Sequence, residues 1–489
     1  MRKAFSDQRR LDCRGVLDVE LNLDCRDEII PILRALQEVY QQPGLRKRIL
    51  DLIGRDVNRD ARRDVGRQGM NYWHILVLVA VRLGCDLDYD KLQDLAENHT
   101  ALRHIMQIGD WRQDLDFGWR RIRDNICLLK PETIEKISQA IVAHGQRLEP
   151  KAAERMRADF FVVNTNIHWP SDSSLIRDGI RKILELCVAI DSVLNLGGWR
   201  QSQHLLRKIK KQARNIDRIA SRKGTGYQDR LKREYALLLK SSGAILRRAE
   251  QLLRAAETSP HRGALAVPVA RLREFFDRTE QVRDIARRRV LKGEQIPNAE
   301  KIFSLFEPHT QLYKRGKAGE PIQFGRMALI FEDQAGFLTH SYVLGREELE
   351  REVIVPQTKF VKQRFQGQLK GVSFDRGGHS PENQRLLADI VDEPCLPMPG
   401  VRQAAEQERT ATTSFRQARQ RHPGVESAIG ALQSGNGLER CRDRTEPGLK
   451  RYVALGVLGR NLHVLGKLLI AREAGAREAA RTKRKHRAA

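Results

Sequence analysis

Three carboxylates in this chain stand where solubility does not explain them. Asp159 opens the β-branched and aromatic run ADFFVVNTNIHW (158–169). Asp375 closes the short apolar run GVSFD (371–375), directly before Arg376, Gly377 and Gly378. Glu426 lies between Val425 and Ser427 in the helical stretch HPGVESAIGALQ (422–433). Each has an ordinary structural reading: Asp375 as a turn residue, Glu426 as a surface partner of Arg421, Asp159 as a local cap. Brought together they would repel one another unless cations neutralised them. Oxygen donors with no Cys or His beside them suit Mg²⁺ or Mn²⁺. Two such ions about 3.5–4 Å apart stabilise both the attacking and the leaving oxygen of an in-line phosphoryl transfer. Gly377 and Gly378 would let the backbone approach a substrate closely, with Arg376 placed to pair with a phosphate.

That chemistry depends on elements that make distant residues meet. Residues 1–150 read as helical: DEIIPILRALQEVY (27–40) carries apolar residues at helical spacing, and Pro131 and Gly145 bracket a helix over 130–148. The first strand falls at 158–169, followed by a helix over 173–196. Residues 201–290 form a charged helical block in which Leu205, Ile209, Ile216 and Ile219 keep a 3–4 spacing among Arg and Lys. It is either a hairpin with a solvated face or an arm laid along a phosphate backbone. Strands resume at 321–333 and 336–344 around a tight DQAG turn. A helix near 356–369, the strand 371–375, a helix from 381, the run 393–399 and helices at 422–433 and 449–474 complete the order. Without the helical block, three strands in a meander precede strands alternating with helices, the order of the RNase H-like fold. The expected class is α/β, a mixed-sheet RNase H-like core with an all-helical N-terminal domain and a helical insertion between the first and second core strands. The expected parts are a helical DNA-binding or oligomerisation domain (1–150), the first part of the core (151–200), the insertion (201–300), the rest of the core (301–470) and a frayed basic tail (471–489). In that fold strands one and four are neighbours and a late helix crosses them, so the three acids converge.

Composition narrows the partner. The chain has 489 residues, with Lys+Arg 88 against Asp+Glu 62, a formal charge of +26. A surplus of that size calls for a polyanion, nucleic acid first and an anionic membrane surface second. The longest apolar run, ILVLVAV (75–81), is far short of the roughly 20 residues that span a bilayer. The first residues lack an apolar signal region. The seven cysteines are scattered without Cys-x-x-Cys spacing, which argues against a zinc site or disulfide framework and for reduced thiols in a cytoplasmic, nucleoid-associated protein.

Several stretches together carry a family likeness. VVNTNIHWPSDSSLIRDGIRKI (162–183), SLFEPHTQLYKRGKAGEPIQFGRMALIFEDQAGFL (304–338), SFDRGGHSPEN (373–383), RHPGVESAIGALQSGNGLERC (421–441) and GLKRYVALGVLGRNLHVLG (448–466) resemble, in order, segments of DDE transposases of bacterial insertion sequences, near the ISNCY group. The region 66–106 is similar to the helical N-terminal domain of such enzymes. The resemblance implies Asp159, Asp375 and Glu426 as a triad holding two Mg²⁺ or Mn²⁺ ions. It implies cleavage and strand transfer at terminal inverted repeats of double-stranded DNA, by a homo-oligomer without a membrane. Arg376, His379 and Arg421 are the candidate DNA contacts. The chain departs from the family at Phe160 and Phe161, where small hydroxyl residues are usual, at Asn164, where a carboxylate is usual, and at Gly378, where an aromatic is usual. A non-catalytic DNA-binding repressor is the alternative, and a structure-specific nuclease a third reading. Asp172 is expected to cap the helix after it, and Asp333 to serve the hairpin turn. His168 is expected to be a packing or hydrogen-bonding residue.

Overall fold

A computed structural model describes residues 2–5, 11–59, 69–111, 118–314, 321–400 and 404–488. Parts of two stretches used above, 66–68 and 315–320, lie outside the described residues, as does Ala489. Seven helices come first: α1 (Ile29–Gln41), α2 (Pro43–Val57), α3 (Tyr72–Gly84), α4 (Tyr89–Asn98), α5 (Thr100–Ile105), α6 (Trp119–Cys127) and α7 (Pro131–Leu148). Then follow β1 (Arg155–Thr165), α8 (Asp172–Leu194), α9 (Ser202–Arg222), α10 (Tyr227–Thr258), α11 (Arg262–Ala286), β2 (Gln311–Lys314), β3 (Ile322–Asp333) and β4 (Leu338–Val343). The chain ends with α12 (Glu350–Arg364), β5 (Gly371–Ser373), α13 (Pro381–Ile390), β6 (Glu393–Cys395), α14 (Ala404–Ala411), α15 (Thr413–Arg421), α16 (Gly424–Ser434), β7 (Arg440–Cys441) and α17 (Glu446–Ala488).

The protein is mixed α/β, with two compact units: Met1–Thr165 with Arg326–Ala489, and Asn166–Gly325. The sheet is mixed, in the order β2-β3-β1-β5-β6, with β4 on β3 and β7 on β1. β1, β5 and β6 run parallel, while β3 is antiparallel to β2 and β4. The DQAG turn forms as expected, with Asp333 accepting from the Ala335 and Phe337 amides at 3.0 Å. Phe160, Phe161, Val162 and Val163 are all buried, as a strand covered on both faces requires.

The core of the first unit draws on both ends of the chain. α1, α3 and α7 pack on α17. A Cβ on Gly459 of α17 would meet the Gly84 backbone of α3, so the two helices touch main chain to main chain. The most apolar part of α17 is the one stretch among the described residues long and apolar enough to cross a bilayer, and 72% of it is buried inside the protein. In the second unit α8, α9, α10 and α11 enclose a separate core containing Ile180, Ile209, Leu238, Leu246 and Leu272.

Three sequence expectations are corrected. β1 starts at Arg155, so Asp159 lies inside the strand. Its first turn of alternation is disguised by arginines, because Arg155 and Arg157 sit on the polar face in ion pairs with Glu393 and Glu332. The cap of α8 is Ser171, whose side chain and backbone exchange bonds with Ser174, while Asp172 is the first helical residue and pairs with Arg289 at 2.7 Å. Residues read as a basic tail are helical in the structure, since α17 runs on to Ala488.

Candidate active site

β1 pairs in parallel with β5 just before the two aspartates. Arg155, Met156 and Arg157 stand opposite Gly371, Val372 and Ser373. The paired register ends there, because β5 stops at Ser373; continued two residues further it would set Asp375 opposite Asp159. Alternation puts Arg157 and Asp159 on one face with Ser373 and Asp375. α16 packs against β1 on that face.

Asp375 leaves the strand end and caps a short 3₁₀ turn, Arg376–Gly378, accepting the Gly377 amide at 2.9 Å. The turn is held from behind by Asn383, which donates to the carbonyls of Gly378 and Arg351 at 3.0 and 2.7 Å. Ser380 caps α13, with Pro381 in its first turn. Gly378 is buried, and a Cβ there would lie 3.0 Å from Ile354, which leaves no room for an aromatic ring. The departure at 378 is thus built into the packing of α12. Phe160 and Phe161 point into the sheet's two buried faces, which places both rings in the core.

Glu426 occupies the first turn of α16, where the helix dipole favours a carboxylate. It is exposed, whereas Val425, Ala428, Ile429 and Leu432 are buried. α16 comes this close to β1 because residue 424 is glycine: a Cβ would collide with the Arg157 guanidinium. Arg157 runs beneath that turn, bonding Glu332 at 2.5 Å and the Arg421 carbonyl at 3.0 Å.

His422 joins the two halves. Its Nδ1 lies 3.1 Å from the Ser373 hydroxyl, two residues before Asp375, and it precedes Glu426 by one helical turn. Burial pushes its pKa down; Asp375 and Glu426 push up against that, and Arg157 adds to the fall. One imidazole therefore senses Asp375, Glu426 and Arg157 together. Sequence reasoning missed Arg157, Ser373 and His422. The available signal was spacing, since Arg157 and Ser373 lie two residues before a chosen aspartate and His422 four residues before Glu426.

The other candidates scatter. Arg376 is exposed beside Asp375. His379 bonds Gln384 at 3.1 Å. Arg421 lines a cleft of ≈ 260 Å³ with Arg155, Glu332, Ser373 and Glu393, below the aspartates along the strands. His168 pairs with Asp178 at 3.4 Å.

The donors at the site are all oxygen, which suits a hard divalent cation. Among the described residues no group of three His, Cys, Asp or Glu side chains is gathered closely enough to hold a metal ion as placed. No family model, curated protein or solved structure matches this chain.

Proposed function

We propose that the chain is a DNA strand-cleaving and strand-transferring enzyme, a transposase acting at the terminal repeats of an insertion sequence through an RNase H-like core. One observation carries the reading: β1 and β5 pair in parallel with Arg157 opposite Ser373, two residues before Asp159 and Asp375, and α16, with Glu426 in its first turn, packs against β1. The family likeness of five ordered stretches supports it, as does a charge of +26.

In this reading Asp159, Asp375 and Glu426 would hold two Mg²⁺ or Mn²⁺ ions, which supply Lewis acidity at the attacking and leaving oxygens. The chain's own residues set the geometry. Asp159 lies within β1, the Gly377 amide orients the Asp375 carboxylate, and Arg157 and His422 dock the turn that carries Glu426. No hydrogen bond among the described residues holds the Glu426 carboxylate, so it is free to close on the aspartates. Arg376 lies within reach of a phosphate at the strand end. Oligomeric assembly and binding of target DNA belong to the same proposal.

The test uses a labelled duplex ending in the DNA that flanks the gene, with Mg²⁺, Mn²⁺ or EDTA. A nick at the element boundary that requires metal and is lost in Asp375→Ala and Glu426→Gln, with duplex binding retained, is the expected result. Binding without a nick under either metal moves the reading to a non-catalytic DNA-binding protein.

A further inference from the structure

Helix α9 has two faces of opposite character. Ile209, Ala213 and Ile216 are buried in the core of their unit. On the far side Arg207, Lys211, Arg214, Arg218 and Arg222 recur every three or four residues, and all five are exposed. At 100° per residue that spacing keeps them in one stripe, about 22 Å long. Lys223, the residue after the helix, extends the line.

The charge of this stripe is not offset within its own helix. Other arginines of the same unit are matched: Arg254 with Glu250, Arg273 with Glu257, Arg278 with Glu274, Arg283 with Glu280. Among the described residues no cation of the α9 stripe has an acidic partner. The helix's one acid, Asp217, accepts from Ser173 instead. Like charges three and four residues apart destabilise a helix by a few tenths of a kcal/mol per pair. A folded chain carries that cost where a polyanion relieves it. Base recognition needs side chains that read groove edges, whereas evenly spaced Arg and Lys on one straight helix match the repeating phosphates of a backbone.

We propose that the α9 stripe is a docking surface for the phosphate backbone of duplex DNA, gripping it without regard to sequence. The inference rests on the reading of DNA as substrate, and gives the inserted unit the task of holding the duplex while the carboxylates act.

The experiment measures binding of the full chain to a labelled duplex of arbitrary sequence by fluorescence anisotropy across a salt series. The variant combines Lys211→Ala, Arg214→Ala and Arg218→Ala, none of which touches the buried face. A control of equal charge combines Arg254→Ala, Arg273→Ala and Arg278→Ala. Each lost phosphate contact lowers the log–log salt slope by about 0.9, so the α9 variant is expected to lose about 3 from the slope. Wild-type affinity, relative to that variant, then falls roughly 40-fold between about 50 and about 200 mM salt. The control is expected to lose less than about 1. An unchanged slope in the α9 variant, or equal losses in both, overturns the proposal. So does an α9 variant that keeps its duplex slope and loses binding to phosphatidylserine vesicles. Should alanines unfold the helix, seen as lost ellipticity, glutamines at the same three positions give the same readout. Asp375→Ala is expected to keep the full slope, and a wild-type chain that keeps its slope but never cleaves sinks the catalytic reading alone.

Discussion

At the scale of single residues, two glycines of one helix make opposite predictions. Gly424 starts α16 where a Cβ would strike the Arg157 guanidinium, while Gly430 in the same helix faces open space. Gly424→Ala must displace either Arg157 or the turn carrying Glu426, and is expected to cost about 1–3 kcal/mol in denaturant unfolding as well as cleavage activity. Gly430→Ala is expected to stabilise by about 0.5–1 kcal/mol and to leave activity alone. Equal effects at the two positions would show that α16 does not depend on close approach to β1. The three acids drew attention in sequence because each stands at an apparent element end or among apolar neighbours. Arg157, Ser373 and His422 were not legible, since their meaning comes from a register and a helix crossing that join residues far apart in the chain. His340 shows the same limit. It lies against Phe331 and Phe360, with ring centroids 5.8 and 5.0 Å away, and Gln357 bonds its Nε2 at 2.8 Å. Burial pushes its pKa down to about 4, partly opposed by the Gln357 bond and reinforced by Arg364. The unfolded chain takes up the proton first, so this histidine's contribution is full above pH 6.5 and is lost as pH falls towards about 4. Its full loss is worth about 3 kcal/mol. His463, also pushed down to about 4 by burial, acts in the same sense. Asp333, pushed up to about 6 by burial, acts in the opposite sense, losing stability as pH rises from 3.8. Unfolding midpoints at neutral and acid pH are expected to fall less for His340→Leu than for the wild type.

At the scale of elements, helices were easier to read than strands. α7 and the β3–β4 hairpin followed from Pro, Gly and turn chemistry at their ends. The start of β1 was hidden because arginines stand where apolar residues would mark a strand, and partners at Glu332 and Glu393 explain them only once the sheet is built. The junction of α3 with the segment before α17 is a second such case. Arg82 is buried against Asp443 at 2.6 Å, with its guanidinium over the Tyr89 ring at 4.0 Å. Neither residue announces the other across the chain. Removing one partner of a buried pair strands the other charge, so Asp443→Ala is expected to cost about 3–5 kcal/mol. Arg82→Met with Asp443→Leu is expected to recover most of it. If both variants unfold at the same denaturant concentration, the pair is not a source of the loss.

For the whole molecule, charge told of a polyanion but not of where it would lie. The helical block was legible as amphipathic, and the structure adds that five exposed cations of α9 recur at helical spacing on one side. The division into units was less legible, because α17 completes a core begun by α1, α3 and α7. That arrangement has a consequence for how the protein is made. The unit of residues 166–325 is continuous in sequence and can fold as it leaves the ribosome. The N-terminal helices must wait for α17, roughly half a minute later at ordinary elongation rates. During that interval Leu33, Leu36, Leu78 and Val81 lack their covering helix. The nascent chain therefore carries a sticky apolar surface through most of its synthesis, and chains released before residue 446 are expected to bind chaperones or aggregate while full-length chains remain in solution.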